Sequence, residues 1–240
     1  MKKILTTAIL CAGLVGFTAC DSFLDEEPKS SLTLDTYYKT SADIIGNVNY
    51  LYRDGAPDKM GNMTGAYRGS SLSVMNMVTG YFVNEYEGQE VDCSYARQLT
   101  RQNFTQSCCN YLTNDTWKGC YKSINVANAV IKYVDGVEMD GQAQYKAEAR
   151  FFRALNYFYL VKMFGDVPMI TEPTEDATLV EYPARTAASE VYKTVIIPDL
   201  QFAVENLPDA TFAGNSHRVT KYAADMLLAD VYMRLGEYAN

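Results

Sequence analysis

Apolar residues in the second half of this chain recur at the spacing of one helix face, and that periodicity constrains the fold more than any single motif. After Asn114, Cys120, Ile124, Ala127, Ile131 and Val134 follow at steps of four, three, four and three, which makes one stripe on an α-helix. Gly136 is a natural left-handed residue to end it. A second helix is predicted from Gln142 to Phe164, with Phe151, Leu155 and Phe158 on one face and Tyr157, Tyr159, Leu160 and Val161 spreading apolar character around most of it. Such a helix is buried between neighbours, and Gly165 and Pro168 stop it. A third begins after Thr186 with the stripe Tyr192, Ile196, Leu200, Ala203 and Leu207, and Pro198 inside it should kink it. A fourth starts after the N-cap candidate Thr220, carries Ala224, Leu228, Val231 and Leu235, and meets Gly236.

The first half is less regular. Thr40 with Asp43 has capping-box spacing and opens a predicted helix to about Arg53. Residues 54–69 read as loop, Leu72 to Phe82 as a second apolar helix, and Asn84 to Asn103 as a long polar loop. Short turns between long amphipathic helices imply antiparallel pairs. The ends Phe164–Gly165 and Leu235–Gly236 lie 71 residues apart, close to two tetratricopeptide periods of roughly 34. Ala229 to Tyr238, ADVYMRLGEY, has the look of the turn between the helices of such a repeat. The expected class is all-α, a tetratricopeptide-like antiparallel helical array. Asn240 falls where the partner helix should begin, so the array is expected to be truncated at its C-terminus.

The N-terminus has a different character. Lys2 and Lys3 precede uncharged, mostly apolar residues from Ile4 to Ala19, and Cys20 follows the small Ala19. The run is shorter than the roughly 20 residues a membrane-spanning helix needs and has the anatomy of a secretory signal. Ala19 before Cys20 marks it as a lipoprotein signal, with Cys20 the lipid-bearing first residue of the mature chain. Three regions follow: a lipoprotein signal peptide over 1–19, an acidic tether over 20–39, and a helical region over 40–240. Without Lys2 and Lys3 the net charge of −8 becomes −10, which excludes binding through phosphate neutralisation and a basic membrane-surface helix. Four cysteines remain beyond Cys11 and Cys20, namely Cys93, Cys108, Cys109 and Cys120. The neighbours Cys108 and Cys109 pair poorly with each other, and three connectivities stay open. No CxxC spacing accompanies the single histidine, His217, so no zinc site is expected.

Catalytic signatures are missing too: GxSxG, a Walker loop, HExxH and GxGxxG do not occur. The chain is read as a binder and not an enzyme, with no cofactor. Several ordered segments then resemble one family. They are Cys20-Asp-Ser-Phe-Leu-Asp-Glu-Glu-Pro28; Trp117 and Tyr121 with Ile124, Ala127 and Asn128; and Glu148-Ala-Arg-Phe-Phe-Arg-Ala154 running into Phe164-Gly-Asp-Val-Pro168. Arg185-Thr186, Glu190-Val-Tyr192, Asp199-Leu200, Leu207-Pro208 and Arg218-Val-Thr-Lys221 complete the set. The sequence resembles the N-terminal half of the SusD-like (RagB/SusD) outer-membrane lipoproteins. The resemblance implies a cell-surface, lipid-anchored protein that captures oligosaccharides or polysaccharides and delivers them to a TonB-dependent, SusC-like outer-membrane porter. The alternative is a helical-repeat scaffold of an outer-membrane complex with no ligand of its own.

Residue roles follow from both lines. Trp117 and Tyr121 at i, i+4 are read as inter-helix packing, Asn128 as a buried amide bonding to backbone, and Glu148, Arg150 and Arg153 as ion pairs between helices. His217 is expected in an exposed turn. For ligand contact the polar loop 84–97 stands out. Tyr86 and Tyr95 offer rings for stacking on pyranose faces, and Gln89 and Arg97 offer donors for hydroxyls. The resemblance places ligand-contacting residues in this same region, ahead of the Trp117 helix.

Overall fold

A computed structural model describes residues 34–53, 76–83, 97–175 and 183–236. In chain order its helices are α1 (Leu34–Tyr37), α2 (Ser41–Arg53), α3 (Gln106–Tyr133), α4 (Gln142–Phe164), α5 (Ala188–Val191), α6 (Ile197–Asn206) and α7 (Lys221–Leu235). Among the described residues β pairing is limited to an antiparallel bridge between Val167 and Thr186. The all-α array predicted from periodicity is the fold observed.

Capping decides where α2 begins. The Thr40 backbone N donates to Asp43 Oδ2 at 2.8 Å, and the Asp43 N donates back to Thr40 Oγ1 at 3.4 Å. That reciprocal pair satisfies donors a helix start otherwise leaves open. Helix α3 starts at Gln106, well before Asn114. Residues 106–113 hold no Gly or Pro, so a helix nucleated downstream extends through them at little cost, although they carry no apolar stripe to announce it. Its far end also differs from expectation. Gly136 is not left-handed; the chain tightens into a 3₁₀ turn, Val134–Gly136, with Val137 N donating to Val134 O at 3.2 Å. The left-handed residue is Gly141, φ 70°, immediately before α4.

Helix α4 has the predicted limits and ends where Gly165, φ 69°, donates to Val161 O. A side chain at that φ would be strained. The kink expected at Pro198 is replaced by a π-helical turn, Tyr192–Ile196, between α5 and α6, which leaves Pro198 in the first turn of α6. Proline is tolerated there because its missing N–H would have had no intrahelical partner. The widened turn keeps Ile196, Leu200 and Ala203 fully buried on one face. Helix α7 ends at Gly236, φ 75°, as anticipated.

Helix α4 packs on α3 and α6, α2 packs across α3 and α4, and α7 packs on α6. The short connection 134–141 turns α4 back along α3. Ile124, Leu160 and Tyr157 are sealed in this core, with Phe151 and Phe158 nearly so. Leu155 and Leu228, also expected inside, are only partly buried against it. For Leu228 the reason is position: α7 lies at the margin of the array, and its outer face leaves Tyr222, Met226 and Met233 exposed. The apolar helix expected over Leu72 to Phe82 departs from prediction as well. Residues 76 and 77 are helical, Gly80 turns at φ 79°, and Tyr81, Phe82 and Val83 stand exposed, while 72–75 lie outside the described residues.

Candidate functional site

The predicted ligand loop is described at its two stems. Tyr86, Gln89 and Tyr95 lie outside the described residues. Arg97 is half-buried and opens a single helical turn, 97–100, in a stretch read from sequence as loop. Leu99, 3% exposed, is the buried residue of that turn. Thr100 Oγ1 reaches Met77 Sδ at 3.6 Å and ties the stem after the loop to the stem before it.

Exposed rings flank the segment 84–96 in sequence. Tyr81 is 90% exposed, Phe82 53% and, beyond the second stem, Phe104 55%. The Tyr81 backbone N donates to Thr79 Oγ1 at 3.2 Å, so the turn that presents the ring is held locally. Gln102, φ 54°, and the bond from Thr105 Oγ1 to Gln98 Oε1 at 2.8 Å shape the second stem. Rings with open faces can stack on the apolar C–H faces of a sugar. Sequence reading had assigned Tyr81 and Phe82 to a helix; Gly80 was the one residue able to mark the break.

The motif residues build a scaffold of their own. Trp117 packs on Tyr121 and edge-on against Phe164, both at 5.0 Å between ring centres. Tyr121 Oη donates to Pro168 O at 2.7 Å, and burial pushes its phenol well above its ordinary value. Asp166 Oδ1 accepts from Ala188 N at 2.9 Å at the start of α5, while its carbonyl accepts from Arg185 at 3.0 Å. Val167 and Thr186 exchange backbone bonds beside it. The segment Phe164-Gly-Asp-Val-Pro168 is therefore a joint that locks the exit of α4 to the entry of α5. Asn128 is the buried amide expected, donating to Ile170 O at 3.0 Å and Glu172 O at 3.2 Å. Tyr157 Oη donates to the same Ile170 O and accepts from Ile170 N, and burial lifts its phenol to about 12.

Two ion-pair networks brace the helices, as the charges on α4 had promised. Arg153 binds Asp199 through Nε at 2.6 Å and Nη2 at 2.9 Å, and donates from Nη1 to Asn128 Oδ1 at 2.9 Å. Burial pushes the Asp199 carboxyl above its ordinary value, against the opposing pull of Arg153. Glu148, fully buried, accepts from Arg218 Nη2 at 2.6 Å and from Tyr52 Oη at 2.8 Å. Arg218 also donates to Asn49 Oδ1 at 2.7 Å, joining α2, α4 and the segment before α7. These partners are spent on each other, which is structural bracing. His217 is exposed at φ 62° with its ring against Phe212 at 5.2 Å. Among the described residues no three His, Cys, Asp or Glu side chains converge as metal ligands, and no helix is long and apolar enough to cross a membrane. Cys120 lies in the core.

The family described as "Starch-binding associating with outer membrane", SusD-like_3, matches residues 22–233. The chain belongs to the SusD-like family. SusD-like protein P2 of Formosa agariphila is 30% identical over 99% of this chain and 44% of its own length. A SusD superfamily protein from Parabacteroides distasonis superposes with a TM-score of 0.63 at 29% identity, covering 79% of this chain and 38% of that one. A laminarin-binding SusD-like protein gives a TM-score of 0.64 at 26% identity, over 83% of this chain and 41% of its own. The chain spans less than half the length of the curated relatives it matches.

Proposed function

We propose that this SusD-like chain belongs to a cell-surface glycan-binding lipoprotein that captures oligosaccharides and delivers them to a TonB-dependent outer-membrane transporter. Membership of a starch-binding, outer-membrane family carries the reading, and a laminarin-binding relative of the same fold supports it. The open rings of Tyr81, Phe82 and Phe104 offer stacking faces and flank in sequence the segment that bears Tyr86, Gln89, Tyr95 and Arg97. The regions 1–19, 20–39 and 40–240 act in this reading as signal, tether and binding body, with Cys20 lipidated and the protein facing outward.

Laminarin is the first probe, by isothermal titration with the purified protein. Tyr81→Ala, Tyr86→Ala or Tyr95→Ala should weaken binding about tenfold, or 1.4 kcal/mol, with unchanged melting temperature. Equal affinity in all three variants would move the site away from this loop, and no binding across a panel of glycans would end the capture reading. For transport, the lipoprotein as bait in mild detergent should recover a large β-barrel porter from outer membranes. Recovery of the bait alone would leave a free-standing binder. The exposed stripe Tyr222, Met226 and Met233 on α7 is the observation that favours the scaffold reading. Under that reading these three residues, and not Tyr81, govern assembly.

A further inference from the structure

A cleft opens where α1, α2 and α3 meet. Its volume is ≈ 290 Å³, and Leu34, Tyr37, Tyr38, Asn47, Asn125, Val126 and Ala129 line it, from α1, α2 and α3. The floor is apolar: Ala129 and Tyr38 are buried, and Tyr38 is held by parallel stacking on Tyr133 at 5.2 Å. Three polar groups stand around that floor, each fixed from one side. Asn47 Nδ2 is committed to Asp43 O at 2.9 Å and to Tyr37 Oη at 3.1 Å, which leaves Asn47 Oδ1 as an acceptor. Asn125 Oδ1 accepts from Thr174 N at 2.7 Å, which leaves the Asn125 amide N–H groups as donors. Tyr37 Oη receives the Asn47 bond and keeps its own proton to give. None of these three spare capacities has a partner among the described residues.

An apolar floor with a few oriented polar groups is the composition of a small-molecule site, and this volume falls at the small end of the roughly 300–1,000 Å³ such sites span. Among the described residues no lining side chain carries a charge, so a charged ligand would lose hydration without gaining a counter-ion from them. A single uncharged ring fits these terms. One face of C–H groups would rest on Val126, Ala129 and Tyr38, and hydroxyls at its edge would meet the Asn125 donor, the Asn47 acceptor and the Tyr37 hydroxyl. We propose that this cleft is a second, independent subsite for one neutral pyranose unit, separate from the loop around Tyr81. It rests on the glycan-capture reading only for its biological use; binding in the cleft is measured on its own.

The probe is methyl β-D-glucopyranoside, with sorbitol as an open-chain polyol and glucuronate as a charged control. Side-chain amide resonances of Asn47 and Asn125 report occupancy in nitrogen-edited NMR spectra of the whole chain. The pyranoside should shift both amides in a saturable way, with sorbitol and glucuronate at least tenfold weaker. Val126→Phe, which fills the floor, and Tyr37→Ala, which removes a half-exposed ring and hydroxyl, should each abolish the shifts with the fold intact by melting. Absence of saturable shifts in the unsubstituted protein, equal response to sorbitol, or shifts that persist in both variants would overturn the subsite. Tyr81→Ala separates the two readings. Cleft shifts that survive in this variant while laminarin binds as tightly as to the parent count against the loop reading alone. Laminarin binding without cleft shifts defeats the subsite alone.

Discussion

Removing the Asp199 carboxylate tests whether the buried network holds the array together. Asp199 is 2% exposed and takes two bonds from Arg153, whose side chain is itself only 10% exposed. Arg150 stands at 3.8 Å and stacks over Phe202 at 4.2 Å, so it adds a second positive charge and no compensating negative one. Asp199→Ala would leave the Arg153 guanidinium buried without its counter-ion. Breaking a buried pair from one side costs about 3–5 kcal/mol. For a fold of this size each kcal/mol moves the melting temperature by roughly 2–4 °C, so the loss should be roughly 6–20 °C. The pair itself is not expected to be worth that much. Replacing both partners, Arg153→Met with Asp199→Leu, removes the desolvated charges together and should recover most of the loss. Melting by circular dichroism across the parent, Arg153→Met, Asp199→Leu and the double variant closes the double-mutant cycle and gives the coupling. A melting temperature for Asp199→Ala within 2 °C of the parent, or a double variant as unstable as the sum of the singles, would refute the reasoning.

Other expectations follow from single observations. Ile124→Ala, 1% exposed at the start, should cost about 2–5 kcal/mol in denaturant unfolding; Leu155→Ala, only partly buried, should cost less, and equal losses would contradict the packing. The Thr40 hydroxyl and backbone N–H hold the Asp43 carboxyl below its ordinary value. The stability this contributes is therefore present above the unfolded value near roughly 4 and fades as pH falls through the folded one. The gap in melting temperature between parent and Asp43→Ala should accordingly narrow on acidification, whereas a gap that widens would reverse the sign. Cys20→Ala should release the exported protein from membrane fractions, and retention at parental levels would remove the lipid anchor.

The long helices were legible because burial on one side of a rod imposes a 3.6-residue rhythm on the sequence. That rhythm located α4 and α7, and the glycines at 165 and 236 marked their ends because only glycine takes a positive φ without strain. The Thr40–Asp43 cap was readable for a similar reason: its bonds span three residues and need no partner from elsewhere. The early start of α3 was silent, since residues 106–113 mix Gln, Ser, Asn and Thr with Cys, Tyr and Leu and a helix carried along by its neighbour needs no stripe. At Pro198 the sequence announced a disturbance, and packing against α4 chose its form. A π turn kept Ile196 and Leu200 facing the core, which a bend would have turned aside.

What the sequence determined alone is whatever depends on spacing along one helix or within one turn: the all-α class, the limits of α4 and α7, and the roles of Trp117, Tyr121 and Asn128 as packing and bonding groups. Tertiary structure decided whatever depends on residues distant in sequence. Glu148 finds Arg218 and Tyr52, and Asp199 finds Arg153, only after α2, α4, α6 and the turn before α7 are assembled. The rings of Tyr81 and Phe82 become a surface only because Gly80 ends the helix and Met77 meets Thr100. The cleft between α1, α2 and α3 exists only where three helices fail to close on one another. A one-dimensional pattern records which faces are apolar; which faces meet, and what is left open between them, is fixed by packing.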